Sequence, residues 1–257
     1  MPVNRREFLH LVAGGVTTGL LVSNPLTRGA TRPKIKAIAF DAFPVFDPRT
    51  IFARADELFP GKGADLSNAW RTRQFEYTWL RTLSQRYVDF WQVTEDALVF
   101  ATKMLKLDLT PEKRKQLMEA YLELKAWADA LPALRSLKDA GIRLAFLSNF
   151  TSRMLDAAIK NSGLEGIFED HLSTDKVQAF KPDPRAYQMG IDAFRLTREE
   201  IAFAAFAGWD AAGARWFGYP TVWVNRMNLP AEELGVAADA IGGNLNDLVS
   251  FVKASAG

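Results

Sequence analysis

Two hydrophobic periodicities share this chain. In Ile35-Lys36-Ala37-Ile38-Ala39-Phe40, residues Ile35, Ala37 and Ala39 fall on one face and Ile38 and Phe40 on the other. Both faces are apolar, the mark of a strand inside a parallel sheet covered by helices. Short runs of the same kind return at 142–147, 171–173, 201–206 and 221–224, the last read as the final strand. Between them the pattern is helical: 133–140 closed by Gly141, 154–162 closed by Gly163, 186–194, and 211–217. Strands alternating with helices imply right-handed crossovers and a parallel sheet, so the expected class is α/β with a Rossmann-like core.

Residues 50–130 break that rhythm. Ile51, Ala55 and Leu58 share a helical face, and Trp70, Phe75, Trp79, Leu83 and Val88 to Phe90 form an aromatic-rich amphipathic stretch. Thr94 before Glu95-Asp96 reads as a helix start, and Thr110-Pro111-Glu112 opens another helix with Pro in its first turn. The block holds no convincing strand. The expected organisation is a helical cap subdomain, 50–130, inserted into a core made of 33–49 and 131–257.

The first thirty residues carry a different pattern. Arg5-Arg6-Glu7-Phe8-Leu9 precedes an uncharged run from Leu11 to Val22, too short to span a bilayer, and Asn24-Pro25 follows. A basic start and a short apolar run describe an export signal. The arginine pair resembles the twin-arginine type, which export machinery reads as an address, and implies a periplasmic protein. Without Arg5, Arg6, Arg28 and Glu7 the rest of the chain carries 29 basic and 29 acidic residues. Nothing in that balance steers the folded part toward nucleic acid or an anionic membrane. The chain has no Cys, which removes disulfides and thiolate chemistry, and its only histidines are His10 and His171, which removes His-rich zinc sites.

Chemistry gathers at the strand ends. Asp41 follows the first strand, Ser148 and Asn149 follow the second, Lys181 sits in the loop Phe180-Lys181-Pro182-Asp183, and Trp209-Asp210 follows the fourth. A parallel sheet brings such ends to one edge, where open α/β sheets hold ligands. Singly, Asp41 reads more readily as a turn residue, Ser148-Asn149 and Asp210 as helix caps, and Lys181 as a solvated charge. Together, two carboxylates, a hydroxyl, an amide and a cation make a catalytic set.

In this order, Phe40-Asp41, Leu147-Ser148-Asn149, Lys181-Pro182-Asp183 and Trp209-Asp210 resemble the four motifs of the haloacid dehalogenase superfamily. The stretch Trp70-Arg71, Gln74 to Arg81 and Arg86-Tyr87 resembles the cap of the type II (S)-2-haloacid dehalogenases, as does Trp209 to Gly218. The resemblance implies that Asp41 attacks C2 of a short 2-haloalkanoate, releases halide with inversion, and leaves an ester that water hydrolyses to a 2-hydroxy acid. It assigns halide capture to Arg71 and Asn149. It assigns the substrate carboxylate to Ser148 and backbone N–H groups around Ala42 and Phe43. Lys181, oriented by Tyr187 and Asp210, keeps Asp41 ionised, and Phe43, Phe75, Phe90 and Trp209 wall the site. It further implies no metal or cofactor, and a homodimer.

Phosphatases of the superfamily place a second Asp two residues after the nucleophile, where this chain has Phe43. The chain also departs from the dehalogenase pattern. Pro44-Val45 stands where Gly-Thr is usual, and Ala205 and Ala207 stand where a Ser and an Asn usually position the hydrolytic water. Three readings therefore stay open: a dehalogenase with a reduced ester-hydrolysis half, a non-catalytic descendant that binds a small carboxylate, and a phosphatase.

Overall fold

Strand β1 (Ala37–Phe40) lies in the middle of a six-stranded, all-parallel sheet of order β3-β2-β1-β4-β5-β6. The structure, a computed structural model, describes residues 34–255, so the export signal read in residues 1–30 lies outside the described residues. The other strands are β2 (Arg143–Ser148), β3 (His171–Ser173), β4 (Ile201–Ala205), β5 (Thr221–Val224) and β6 (Ala240–Gly242). Chain order reverses direction at β1, with β2 on one side and β4 on the other. A crevice forms at such a switch point, beyond the carboxyl ends of the strands.

The alternation read in the first strand sorts two packed layers. Ile38 and Phe40 face one core, and Ala37 and Ala39 the other, while Ile35, ahead of the strand, joins Ile38 and Phe40 instead of the alanines. Helices α7 (Pro184–Phe194) and α8 (Gly208–Phe217) pack on the alanine side. Helices α5 (Ala130–Asp139), α6 (Ser152–Asn161) and α9 (Leu245–Ala254) contribute to the other core. Four helices occupy the stretch between β1 and α5: α1 (Arg49–Leu58), α2 (Gly63–Leu83), α3 (Phe90–Met104) and α4 (Pro111–Glu119).

Three expectations need correction. Thr94 does not open a helix. It sits inside α3, with its hydroxyl bonded back to the Phe90 carbonyl at 2.6 Å, and Asp89 is the N-cap, accepting from the Gln92 N–H at 2.8 Å. The aromatic stretch through Phe90 is accordingly two helices, broken after Leu83, with Gln85 at φ 56° between them. Strand β5 is not the last. The three-residue β6 follows it, then α9, capped by Asn244.

Close approach between α7 and α8 depends on Gly213. A Cβ there would lie 2.5 Å from the Tyr187 hydroxyl and 2.6 Å from Pro182 Cβ. Gly213→Ala is therefore expected to overpack the alanine-side core by about 1–3 kcal/mol, lowering Tm by roughly 2–10 °C. Thermal unfolding followed by circular dichroism tests this, and an unchanged Tm would show that the layer can open at no cost.

Candidate active site

Lys181 is the centre of the site. Its side chain is 1% exposed, and its Nζ lies 2.9 Å from Asp41 Oδ1 and 2.6 Å from Asp210 Oδ2. Burying an ammonium costs several kcal/mol unless carboxylates and hydrogen bonds compensate it. Here burial opposes the charge, and Asp210 and then Asp41 outweigh it, so the Lys181 pKa lies above the ordinary lysine value. The Lys181 backbone is fixed as well, its N–H donating to Asn149 Oδ1 at 3.1 Å.

Asp210 sits at the first turn of α8 and is 2% exposed. Its Oδ1 accepts from the Tyr187 hydroxyl at 2.7 Å. Burial pushes its pKa up to about 6 against the pull of Lys181, and the negative charge of Asp41 pushes the same way. Burial, and then the charge and hydrogen bond of Asp210, hold the Tyr187 hydroxyl well above the usual tyrosine value, so it remains a donor. Tyr187 thus orients Asp210 directly and Lys181 through it.

Asp41 is the more open carboxylate, 15% exposed on its side chain. Its two oxygens are held unequally. Oδ1 accepts from Lys181 and, at 3.4 Å, from the Ser148 hydroxyl, while Oδ2 has one bond of 3.3 Å from the Phe43 N–H. Asn149 presents its amide to the same space. With Oδ1 occupied by Lys181 N–H, its Nδ2 donates to no group among the described residues.

Asp41, Ser148, Asn149, Lys181 and Asp210 line one small cavity of about 20 Å³, whose other lining residues are Phe43, Phe75, Phe90, Trp209, Phe150, Phe206 and Ala207. Two expected members do not line it with their side chains. Arg71 is exposed on α2 and lines a larger adjoining cavity. The Ala42 methyl is buried in the core and lines neither cavity, and its carbonyl accepts from the Val45 and Phe46 N–H groups; the expected contact was from its backbone N–H, next to Asp41 in the chain. Asp41 and Asp210 are both engaged by Lys181, and among the described residues no group of three or more His, Asp or Glu gathers to hold a metal ion.

One functional group of residues was not legible beforehand. The loop after Asp41 is gripped at three consecutive carbonyls. Trp127 Nε1 donates to Phe43 O at 3.1 Å, Arg226 donates to Pro44 O at 3.1 and 2.8 Å, and the Trp127 N–H donates to Val45 O at 3.0 Å. Arg226 in turn forms a two-point pair with Asp129 at 2.8 and 2.9 Å and lies over the Trp127 ring. This grip holds the turn that aims the Phe43 N–H at Asp41. The arginine's position just past β5 was the available signal; nothing in the sequence marked Trp127 or Asp129.

Comparison with known proteins agrees with this geometry. A family model described as haloacid dehalogenase-like hydrolase matches residues 9–218. The (S)-2-haloacid dehalogenase of Pseudomonas sp. (strain YL) is 44% identical over 224 residues, covering 87% of this chain and 97% of that protein. Haloacetate dehalogenase H-2 of Moraxella sp. (strain B) is 41% identical over 207 residues, 80% and 92% of the two chains. The solved L-2-haloacid dehalogenase of Xanthobacter autotrophicus with chloropropionic acid covalently bound superposes with a TM-score of 0.78 at 31% identity, over 85% of this chain and 98% of that one.

The grip on the nucleophile loop is testable. Arg226 is 4% exposed on its side chain, so Arg226→Gln breaks a largely buried pair, with an expected cost of about 3 kcal/mol in urea unfolding. Arg226→Lys keeps the charge but not the two-point fork, and is expected to recover less than half of that loss. Equal stability of the lysine variant and the parent would show that charge alone holds the loop.

Proposed function

Because the chain belongs to the haloacid dehalogenase-like hydrolase family, we propose that it is an (S)-2-haloacid dehalogenase in which Asp41 is the nucleophile. The observation that carries this reading is the unequal holding of the two Asp41 oxygens beside a buried cation. Oδ2, held by one long bond, attacks C2 from the face opposite the halogen. The C–X bond breaks with its electron pair, halide departs, and C2 inverts. Halide is a stable anion and needs no proton, which fits Phe43 where phosphatases of the superfamily keep a general acid. The free Asn149 Nδ2 is placed to donate to the departing halide. Arg71 lines the adjoining cavity, from where the family resemblance would bring it to the departing halide. The covalently bound chloropropionic acid in the Xanthobacter autotrophicus structure supports the ester intermediate.

Oδ1 remains on Lys181 throughout and becomes the ester carbonyl oxygen. The ammonium then stabilises the negative charge that develops there when water adds to that carbonyl, a role such preorganised donors fill well in a dry site. Asp210 is the other carboxylate at the cavity, and a pKa raised to about 6 suits it to take the proton from that water. Collapse of the tetrahedral intermediate frees the 2-hydroxy acid and restores the Asp41 carboxylate.

The two halves of the reaction are unequally equipped. The alkylation groups stand in place, but Ala205 and Ala207 offer methyl groups where the family pattern has polar side chains for the water. Losing such a group costs on the order of a hundredfold in rate. The arginine pair and apolar run at the N-terminus support an exported enzyme; finding the native chain wholly in the cytosol on cell fractionation would remove that part of the reading.

Three outcomes are expected. Halide release from (S)-2-chloropropanoate falls by at least about 10³-fold in Asp41→Asn, and unimpaired release would overturn the assignment. Mixing enzyme with excess substrate gives a burst of about one halide per site, with the ester visible by intact mass, and Ala207→Asn speeds the steady state that follows. Activity declines as pH falls through about 6, because Asp210 then gains its proton and can no longer accept one from water. A pH–rate profile flat from about pH 5 to 8 would exclude Asp210 as the base.

A further inference from the structure

The cavity over Asp41 does not stand alone. At about 20 Å³ it has room for roughly one water molecule. Its neighbour is about 290 Å³. The two share Phe43, Phe75, Phe206, Ala207 and Trp209 as lining residues, so the partition between them is one side chain thick. Ala207, with a single methyl, is its thinnest member.

The larger cavity has apolar walls. Ile51 and Phe52 of α1 and Trp70 and Trp79 of α2 line it, together with the shared aromatic rings. Its charged lining residues are Arg71, Glu76 and Glu232; Arg71 and Glu232 are exposed, and the half-buried Glu76 is paired with Arg73 at 2.9 Å. A 2-haloalkanoate with only a methyl on C2 would leave this space unused, while the small chamber has no spare room for a larger group on C2. The family pattern would put a polar amide side chain at 207. The methyl found there is the smallest side chain of the wall that the two cavities share.

We propose that the substrate of this chain is a 2-halo carboxylic acid whose C2 carries an extended alkyl or arylalkyl group, with C2 over Asp41 and that group seated in the 290 Å³ cavity. The inference rests on the dehalogenase reading above and adds the substrate class to it. Each methylene moved from water into such a cavity is worth about fourfold in kcat/KM when the contact is kept in the transition state. Position 207 therefore does two things: its methyl weakens the placing of water and opens the way for the tail.

The test compares (S)-2-chloropropanoate, (S)-2-chlorohexanoate and (S)-2-chloro-3-phenylpropanoate on the full chain, with halide release as readout. The two bulky acids are expected to exceed chloropropanoate in kcat/KM by about tenfold or more. Ser67 lines the larger cavity, is buried, and its hydroxyl makes no hydrogen bond, so Ser67→Phe fills the space without removing a bond. That variant is expected to lose about tenfold on the bulky acids while chloropropanoate stays within about twofold. If Ser67→Phe fails to fold by circular dichroism, Phe52→Trp, which narrows the same cavity from α1, is read the same way. A parent enzyme that prefers chloropropanoate overturns the inference and leaves the dehalogenase reading standing, as does a filling variant that slows all three acids equally. No halide from any of the three, from folded parent protein, overturns the dehalogenase reading and this inference with it.

Discussion

A buried ammonium between two carboxylates sets the terms for the rest of this structure. Lys181 has almost no contact with water, and Asp41 and Asp210 approach it to 2.9 and 2.6 Å from segments 140 and 29 residues away along the chain. Removing such a charge from water is tolerable only if both partners arrive in good geometry and their other lone pairs are met. That requirement makes the end of β1, the loop before α7 and the first turn of α8 a single unit. Tyr187 completes it by holding the remaining oxygen of Asp210, and Asn149 by holding the lysine's own backbone. Deleting any one of these partners leaves a charge or a strong donor unmet in a dry place, so the cluster defines one arrangement of three chain segments.

The same cluster divides the labour of Asp41. One oxygen is tied to the cation and the other is nearly free, an asymmetry that belongs to nucleophilic attack followed by charge build-up on the tied oxygen. Opposite the cluster, Trp127, Arg226 and Asp129 hold the turn after the nucleophile by its carbonyls. A chain with Pro44-Val45 in place of a small residue and a hydroxyl has fewer local means of shaping that turn. Grip from distant residues supplies the shape instead. The aromatic rings around the cavity, Phe43, Phe90 and Phe150 among them, exclude water and so strengthen each electrostatic contact inside.

The strand-end residues were legible because a parallel sheet of alternating strands and helices has only one catalytic edge. Asp41, Ser148, Asn149, Lys181 and Asp210 meet there as their places in the pattern imply. The helical stretch after β1 was legible in kind but not in its breaks. Thr94 looks like a cap because threonine often is one, and only the turn between Leu83 and Asp89 makes Asp89 the cap instead. Strand β6 escaped notice since three residues, Ala240 to Gly242, carry no periodicity of their own and become a strand only by pairing with β5. Arg71 was placed with the nucleophile on resemblance, yet a long exposed side chain on α2 takes the rotamer its surroundings allow, and here it faces the neighbouring cavity.

By itself the sequence determined five of the six strands, the helical character of the stretch after β1 and the order in which reactive side chains follow the strands; the missing polar groups at 205 and 207 were legible only against the family pattern. The first three depend on local periodicity and on residue chemistry, both of which are present in the string of letters. Tertiary structure alone decided that Tyr187 acts through Asp210, that Ala42 turns into the core, that Arg226 grips the nucleophile loop, and that a thin apolar partition joins two cavities of very different size. Each of these is a meeting of side chains from remote segments. Its geometry is set by how helices and sheet pack in three dimensions, which no single stretch of the chain encodes.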